Sequence, residues 1–512
     1  MALAAFLAAR LTSWPPHEDE MLVLTVGRGS FSDLVDTVVH RRGGAPLHFV
    51  LAWVVEHAGG GLVGIRLLSA IFALASVPLI AAITRRLTND DRAALVAAVL
   101  AVSSWVLVFH AIYARMYSLF LFTSALSYLA LLNAERDGGA RRWSLWVAAT
   151  LLVVATHPYG ALVLASQVVY MLLTRRRLGE AVRAFAAVAV LGVPFWIIDR
   201  TLAGRFDVGV GGGGATLGRP DRVLLYLGET AGDFSAGPIV LPAFLFLFAV
   251  GAWLAWRERR REALLVVAAV GTPAAAFLLA RLGASAAPET RHLIFVLPFF
   301  LAFVAAGVVR RPARLAAGLT AVLAVGAVVW AWDKTPTLFT GEPAERVAAR
   351  DAAATWISET GRPDDILLGY EPVFVAAQER DPRFSRLIVP RADSRLALRQ
   401  LQEARRPLGR GVWVLNAWTT GDPQLSVEWR LPRPGSAFEA RVFGPYLVVR
   451  TRAPTVTPKR YLRLAAAVMV AGKTLGIVDA DVNFTTIVRA STRLEPGYEA
   501  ASSRRSASTI SR

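Results

Sequence analysis

The sequence predicts an α-helical polytopic membrane protein of about 11 transmembrane helices with a small C-terminal α/β domain outside the membrane. Three observations predict it. Of 512 residues, 55% are hydrophobic and only 18% charged, where a soluble domain carries roughly 25% charged residues. The apolar residues form long blocks up to position 332 and thin out beyond it, and arginines cluster between alternate blocks.

A hydrocarbon core about 30 Å thick is crossed by about 20 apolar helical residues at about 1.5 Å each. Such spans lie near 62–83, 93–112, 117–134, 143–157, 159–174, 184–199, 238–256, 263–282, 292–309 and 314–332. Residues 1–13 are apolar but too short to cross, and they lack the basic leader and cleavage site of a signal peptide, so they read as a truncated or mis-started first helix. Arginines gather at 85–86, 141–142, 175–177, 257–261 and 310–311. The positive-inside rule makes those five loops cytoplasmic. Facing outward are then 14–61, the turns near 113–116 and 157–160, the loops 200–237 and 283–291, and everything after 332.

Three divisions follow: a transmembrane catalytic domain over 1–332, an extracytoplasmic α/β domain over 333–500, and a disordered basic tail over 501–512. Within the first outer loop, residues 45–57 are too short to span and read as a helix lying in the interface, ended by the glycines at 59–61. In the C-terminal domain, 343–360 and 393–405 read as helices and 366–368, 412–415 and 446–450 as buried strands. Residues 461–475 carry Arg463 and Lys473 and read as a packed helix rather than a span.

The net charge of +18 first suggests nucleic acid, but only three of the basic residues are lysines and most arginines sit where they orient the chain. Zero cysteines exclude disulfide scaffolds, thiolate metal sites and cysteine nucleophiles. All seven histidines (His17, His40, His48, His57, His110, His157 and His292) fall in or beside the outward segments. Either those segments are simply longer, or a polar cavity opens on that face.

Four clusters could do chemistry there. His17-Glu18-Asp19-Glu20 sets three acids side by side just outside the first helix, giving a candidate general base or merely a solvated turn. His110 and Tyr113-Ala114-Arg115-Met116-Tyr117 offer paired guanidinium and hydroxyl donors, or a snorkelling arginine in an aromatic belt. His157-Pro158-Tyr159-Gly160 breaks two spans and reads either as a turn alone or as part of the cavity wall. Arg281 and the Pro288-Glu289-Thr290-Arg291-His292 run suit a phosphate beside lipid.

Other motif matches fail on context. Gly209, Gly211 and Gly214 spell a dinucleotide fingerprint in an outer loop with no preceding strand, which reads as a flexible lid. Gly472-Lys473-Thr474 lacks the first glycine of a phosphate loop, and Asn483-Phe484-Thr485 is a glycosylation sequon by pattern only. No clustered metal-ligand spacing appears, so no cofactor is assigned and a divalent metal is left open.

Glu18-Asp19-Glu20, then Ala45-Pro46-Leu47-His48, Gly64-Ile65-Arg66-Leu67-Leu68-Ser69-Ala70 and Ala114-Arg115-Met116-Tyr117-Ser118 follow one another as they do in the GT-C superfamily of membrane glycosyltransferases. The resemblance is to protein O-mannosyltransferases and the aminoarabinose transferase of lipid A, and it is closest across residues 16–167. Arg291-His292-Leu293 is similar to that family's Arg-Tyr-Leu run, with His292 in place of the aromatic. The resemblance implies a polyprenyl-phosphate sugar donor, Asp19 as catalytic carboxylate with Glu20 as its neighbour, and Arg66, Arg115 and Arg291 at the donor phosphate. Arg281 and His292 join that phosphate set by position. Glu18, His17, His48, His110, Tyr113, Tyr117, His157 and Tyr159 are expected to line the substrate cavity.

The expected activity is transfer of one sugar to an acceptor hydroxyl on a protein, lipid or glycan, with inversion, at the extracytoplasmic face of the plasma membrane. The alternative is a lipid or polysaccharide transporter. It predicts polar residues through the membrane midplane and two related halves, whereas the mid-span residues are mostly Ala, Leu and Val.

Overall fold

A computed structural model describes residues 2–206, 220–279, 289–391, 393–404, 407–416 and 437–474. The glycine-rich loop at 209–214, Arg281, the sequon at 483–485 and the basic tail lie outside the described residues.

The first helices are α1 (Ala2–Arg10), α2 (Glu18–Arg28) and α3 (Phe31–Asp36), followed by a π-helical turn at Thr37–Arg42 and α4 (Pro46–His57). The bundle continues through α5 (Gly61–Thr88), α6 (Asp91–Ser103), α7 (Trp105–Ile112), α8 (Tyr117–Asp137), α9 (Ala140–Thr156), α10 (Gly160–Thr174), α11 (Leu178–Leu191) and α12 (Val193–Phe206). It closes with α13 (Pro220–Phe234), α14 (Gly237–Glu258), α15 (Arg260–Leu279), a 3₁₀ turn at Thr290–Val296, α16 (Leu297–Val309) and α17 (Ala313–Lys334).

Each of the ten apolar blocks is helical over most of its described residues. Six helices are long and apolar enough to cross a membrane. Two further pairs qualify jointly but are bent, α6 with α7 by 55° and α11 with α12 by 58°. Six to eight spans thus stand among the described residues, below the expected count, because α9 and α10 have only 17 and 15 residues. The first bend falls at Ser104, whose backbone is extended between the two helices.

The arginine-rich loops meet at one end of the bundle. Arg86 donates to Asn133 at 2.9 Å, Arg142 pairs with Asp137 at 2.9 Å and Arg176 lies 3.6 Å from Glu135, so the first three loops converge on the end of α8. Arg310 bonds Glu258 at 2.5 Å and joins the other two.

Two devices hold the interior. Between α14 and α16, a Cβ at Gly251 would stand 2.0 Å from the Phe303 carbonyl and one at Gly307 2.3 Å from that of Leu247, so the absent side chains let the two backbones touch. Across α8, α9 and α10, a buried chain of side-chain bonds joins Ser127 to Thr150 (2.8 Å), Gln167 to Ser127 (3.0 Å) and Trp146 to Gln167 (3.0 Å).

After the short α18 (Thr337–Thr340) come α19 (Ala344–Thr360), β1 (Ile366–Leu368), α20 (Pro372–Arg380), β2 (Ile388–Val389), α21 (Ser394–Glu403), β3 (Gly411–Asn416), β4 (Phe438–Phe443), β5 (Tyr446–Thr451) and α22 (Pro458–Thr474). The sheet order is β2-β1-β3-β5-β4, parallel through the first three strands and antiparallel beyond. Apolar residues on its two faces build separate clusters, one with α21 and α22 around Trp413 and Tyr461, the other with α19 and α20 around Phe374. The order 2-1-3 puts a topological switch at the carboxyl ends of β1 and β3.

Candidate active site

The site is built around the first turn of α2. His17 is its N-cap: its Nδ1 accepts from the Asp19 N–H at 3.1 Å, while Glu20 Oε2 accepts from the His17 N–H at 3.1 Å. Three acids in the first turn also suit the positive end of the helix dipole. Successive helical residues point about 100° apart, and the three acids accordingly meet three different environments.

Glu20 turns inward and is fully buried. It accepts from Arg66 Nε at 2.9 Å, Arg66 Nη2 at 2.7 Å and the Ala114 N–H at 2.9 Å. The remaining Arg66 hydrogens go to the carbonyls of Leu11, Trp14 and Pro15. This corrects two expectations. Arg66 has no donor left for a phosphate, and Glu20 has no lone pair left for an acceptor hydroxyl; together they brace the first loop against α5.

Glu18 turns away from the bundle, and so does not line the cavity as expected. It accepts from the Tyr370 N–H at 3.2 Å and pairs with Arg391, which also bonds Glu371 at 3.1 Å. Gly369, at φ +79°, makes room for it, since a Cβ there would lie 2.7 Å from Glu18 Oε1. At the other end of α2, Arg28 bridges Glu56 (2.9 Å) and Glu379 (2.8 Å). The carboxyl edge of the parallel strands therefore abuts the helix that carries Asp19.

Asp19 points toward Tyr113 and Arg115. Tyr113 Oη lies 3.2 Å from its Oδ2 and 3.0 Å from His17 Nδ1, and Arg115 Nε is 3.8 Å away. Burial works against its charge, but Arg115 and, beyond it, Arg291 hold the carboxyl well below the usual carboxylate range. Burial pushes the His17 imidazole down, so its Nδ1 stays an acceptor. His48, on α4, is likewise pushed down to about 3 by burial and by Arg115.

Around Asp19 several buried polar atoms have no hydrogen-bond partner among the described residues: Arg115 Nε, Arg291 Nε, His48 Nε2 and both ring nitrogens of His110. Arg291 bonds Glu289 at 2.6 Å and lies over the Tyr117 ring at 5.1 Å. His292 stacks on Tyr159 (4.9 Å between centroids) and sits 5.4 Å from His157 and 6.0 Å from Tyr117. Both histidines accept at Nδ1, from the N–H groups of Glu289 (3.0 Å) and Tyr159 (3.1 Å), which leaves their Nε2–H as donors. Unsatisfied buried donors are costly, and two arginines with spare N–H groups beside a carboxylate describe a site for an anion next to a base.

Beneath the turn at Thr290–Val296 lies an apolar cavity of about 150 Å³, walled by Leu227, Phe234, Phe248, Leu293, Val296 and Phe300. Behind the same turn is a network the sequence did not announce. Thr290 donates to Asp233 at 2.6 Å, Asp233 pairs with Lys334, and Tyr226 donates to the Glu289 carbonyl at 3.0 Å. Among the described residues no three His, Asp or Glu side chains gather as metal ligands, so the open question of a divalent metal finds no donor set here.

Residues 54–197 match the profile of the family described as dolichyl-phosphate-mannose-protein mannosyltransferase. The crystal structure of ArnT from Cupriavidus metallidurans in the apo state superposes with a TM-score of 0.58 at 15% identity, over 88% of this chain and 96% of that one. The fold is shared with that protein. The same protein bound to undecaprenyl phosphate superposes with a TM-score of 0.56 at 15% identity and the same coverage. No curated protein sequence matches the chain. Within this fold Arg115 lies 3.8 Å from Asp19 and Arg291 is near enough to act on its charge, while His17, His48, His110, Tyr113, Tyr117, His157, Tyr159 and His292 stand around them.

Proposed function

We propose that the chain transfers a single sugar from a polyprenyl-phosphate donor to an acceptor hydroxyl, with inversion, at the extracytoplasmic face of the plasma membrane. The observation that carries this reading is Asp19, held ionised beside two arginines with unmet N–H groups. The family profile, and the fold shared with a protein crystallised with undecaprenyl phosphate, support the donor class.

In this reading Asp19 takes the proton of the acceptor hydroxyl while that oxygen bonds to the anomeric carbon. The bond from that carbon to the phosphate oxygen breaks at the same time, and the electron pair leaves with the lipid phosphate. Arg115 and Arg291, with little water near them, stabilise the growing charge on that phosphate. A single displacement inverts the anomeric centre. The apolar cavity under the Arg291 turn suits the first isoprene units of the donor.

The test is Asp19→Asn, reconstituted in proteoliposomes with a polyprenyl-phosphate sugar. Loss of transfer by about 10²-fold or more, with unchanged melting, is expected. Undiminished transfer would sink the assignment, and movement of lipid across the bilayer with no glycosidic product would favour a transporter.

A further inference from the structure

A second apolar groove lies between α8 and α9, at the end of the bundle remote from Asp19. Its volume is about 330 Å³, and Leu126, Ala130, Leu145, Ala148 and Leu152 line it while Asn133 and Arg142 close one end. Leu145 and Leu152 are 59% and 39% exposed, so the groove opens sideways to the bilayer. From Arg142 to Leu152, α9 rises about 15 Å at 1.5 Å per residue. That is about half of a 30 Å hydrocarbon core, the depth of one leaflet.

The closed end is charged. Arg136 and Arg142 share the carboxylate of Asp137 at 2.7 and 2.9 Å, and Arg86 donates to the neutral amide of Asn133 at 2.9 Å. The neighbouring Glu135 is 3.6 Å from Arg176 of the next loop. Four guanidinium groups thus face two carboxylates at the closed end of a slot one leaflet deep.

We propose that this groove binds an anionic phospholipid, one acyl chain along Leu126–Leu152 and the headgroup phosphate on Arg86 and Arg142. Guanidinium forks bind phosphate through paired hydrogen bonds, and basic pockets between membrane helices collect anionic headgroups. A zwitterionic lipid brings its own cation, which competes with the arginines for its phosphate. This site does not depend on the sugar-transfer reading, since it shares no residue with the Asp19 cavity.

The experiment is native mass spectrometry of the full chain in detergent, mixed with equal amounts of phosphatidylglycerol and phosphatidylcholine. One phosphatidylglycerol adduct should outlast the phosphatidylcholine adduct about tenfold as collision energy rises. Arg86→Gln with Arg142→Gln should abolish the preference, and Ala148→Trp, which fills the slot, should remove the adduct with the arginines intact. Equal retention of the two lipids by the unmodified chain overturns the proposal without any variant. So does an undiminished phosphatidylglycerol adduct in the double arginine variant or in Ala148→Trp.

Discussion

Arg115 Nε stands 3.8 Å from Asp19 Oδ2, near enough to hold the carboxylate's charge and far enough to leave that N–H without a hydrogen bond among the described residues. The same guanidinium can therefore keep the base ionised and still meet a second anion. That double duty distinguishes it from Arg66, whose hydrogens are all engaged within the fold.

The pH profile follows from the first half of that role. A carboxyl held below its usual range remains ionised as pH falls, so any stabilising or catalytic contribution of Asp19 is present above the unfolded value of about 3.9 and is lost only below it. The rate of transfer in proteoliposomes should show no acid limb from Asp19 between pH 5 and pH 8. A limb centred near pH 6.5 that persists in His17→Gln and His48→Gln would mean that Asp19 is not the base.

Arg291 should act on the donor, and Thr290 through Arg291. Arg291→Gln is expected to lower transfer by about 10²- to 10³-fold, as removal of a charge-stabilising donor does. Thr290→Val frees the turn from Asp233 without unpairing Lys334, and should cost about tenfold. In the Arg291→Gln background the same substitution should cost nothing. A loss that is equal in both backgrounds would make Thr290 a general structural residue.

Glu20 and Arg66 should matter for folding before they matter for rate. Arg66→Ala leaves a buried carboxylate without its partner and should destabilise by about 3–5 kcal/mol, visible as a lower melting temperature in detergent. Normal melting combined with a weakened affinity for lipid phosphate would return Arg66 to the donor site.

Arg391 lies in the C-terminal α/β region, yet its substitution should register at Asp19. Arg391→Ala releases Glu18 at the first turn of α2 and is expected to reduce transfer by about 10-fold with donor affinity unchanged. Exchanging the pair, Glu18→Arg with Arg391→Glu, should restore part of the loss. An exchange no better than either single change would remove this contact as a positioning element.

Much of the fold was legible because lipid and water impose simple periodic constraints: the ten apolar blocks, the helix at 343–360 and the strands around 366, 412 and 446 all appear where the pattern set them. Span number was less legible, since a helix of 15 residues and a chain bent at Ser104 look alike as runs of apolar letters. The site was legible as a neighbourhood but not in its division of labour. Glu18, Asp19 and Glu20 are chemically alike, and only the rotation of one helix turn sends them to Arg391, to Arg115 and to Arg66. Those partners lie up to 373 positions away, beyond any local signal.

The hydrogen-bonded chain through Ser127, Thr150, Gln167 and Trp146 has a mechanical consequence. Hydrocarbon offers no replacement partners, so sliding α8, α9 or α10 past one another would strand several polar groups at once. These three helices must move as one body. A gap that admits a long lipid opens at less cost where Leu245 and Phe248 of α14 meet Val270 of α15 beside the Arg291 turn, since α13 is itself tied to that turn by Tyr226 and Asp233.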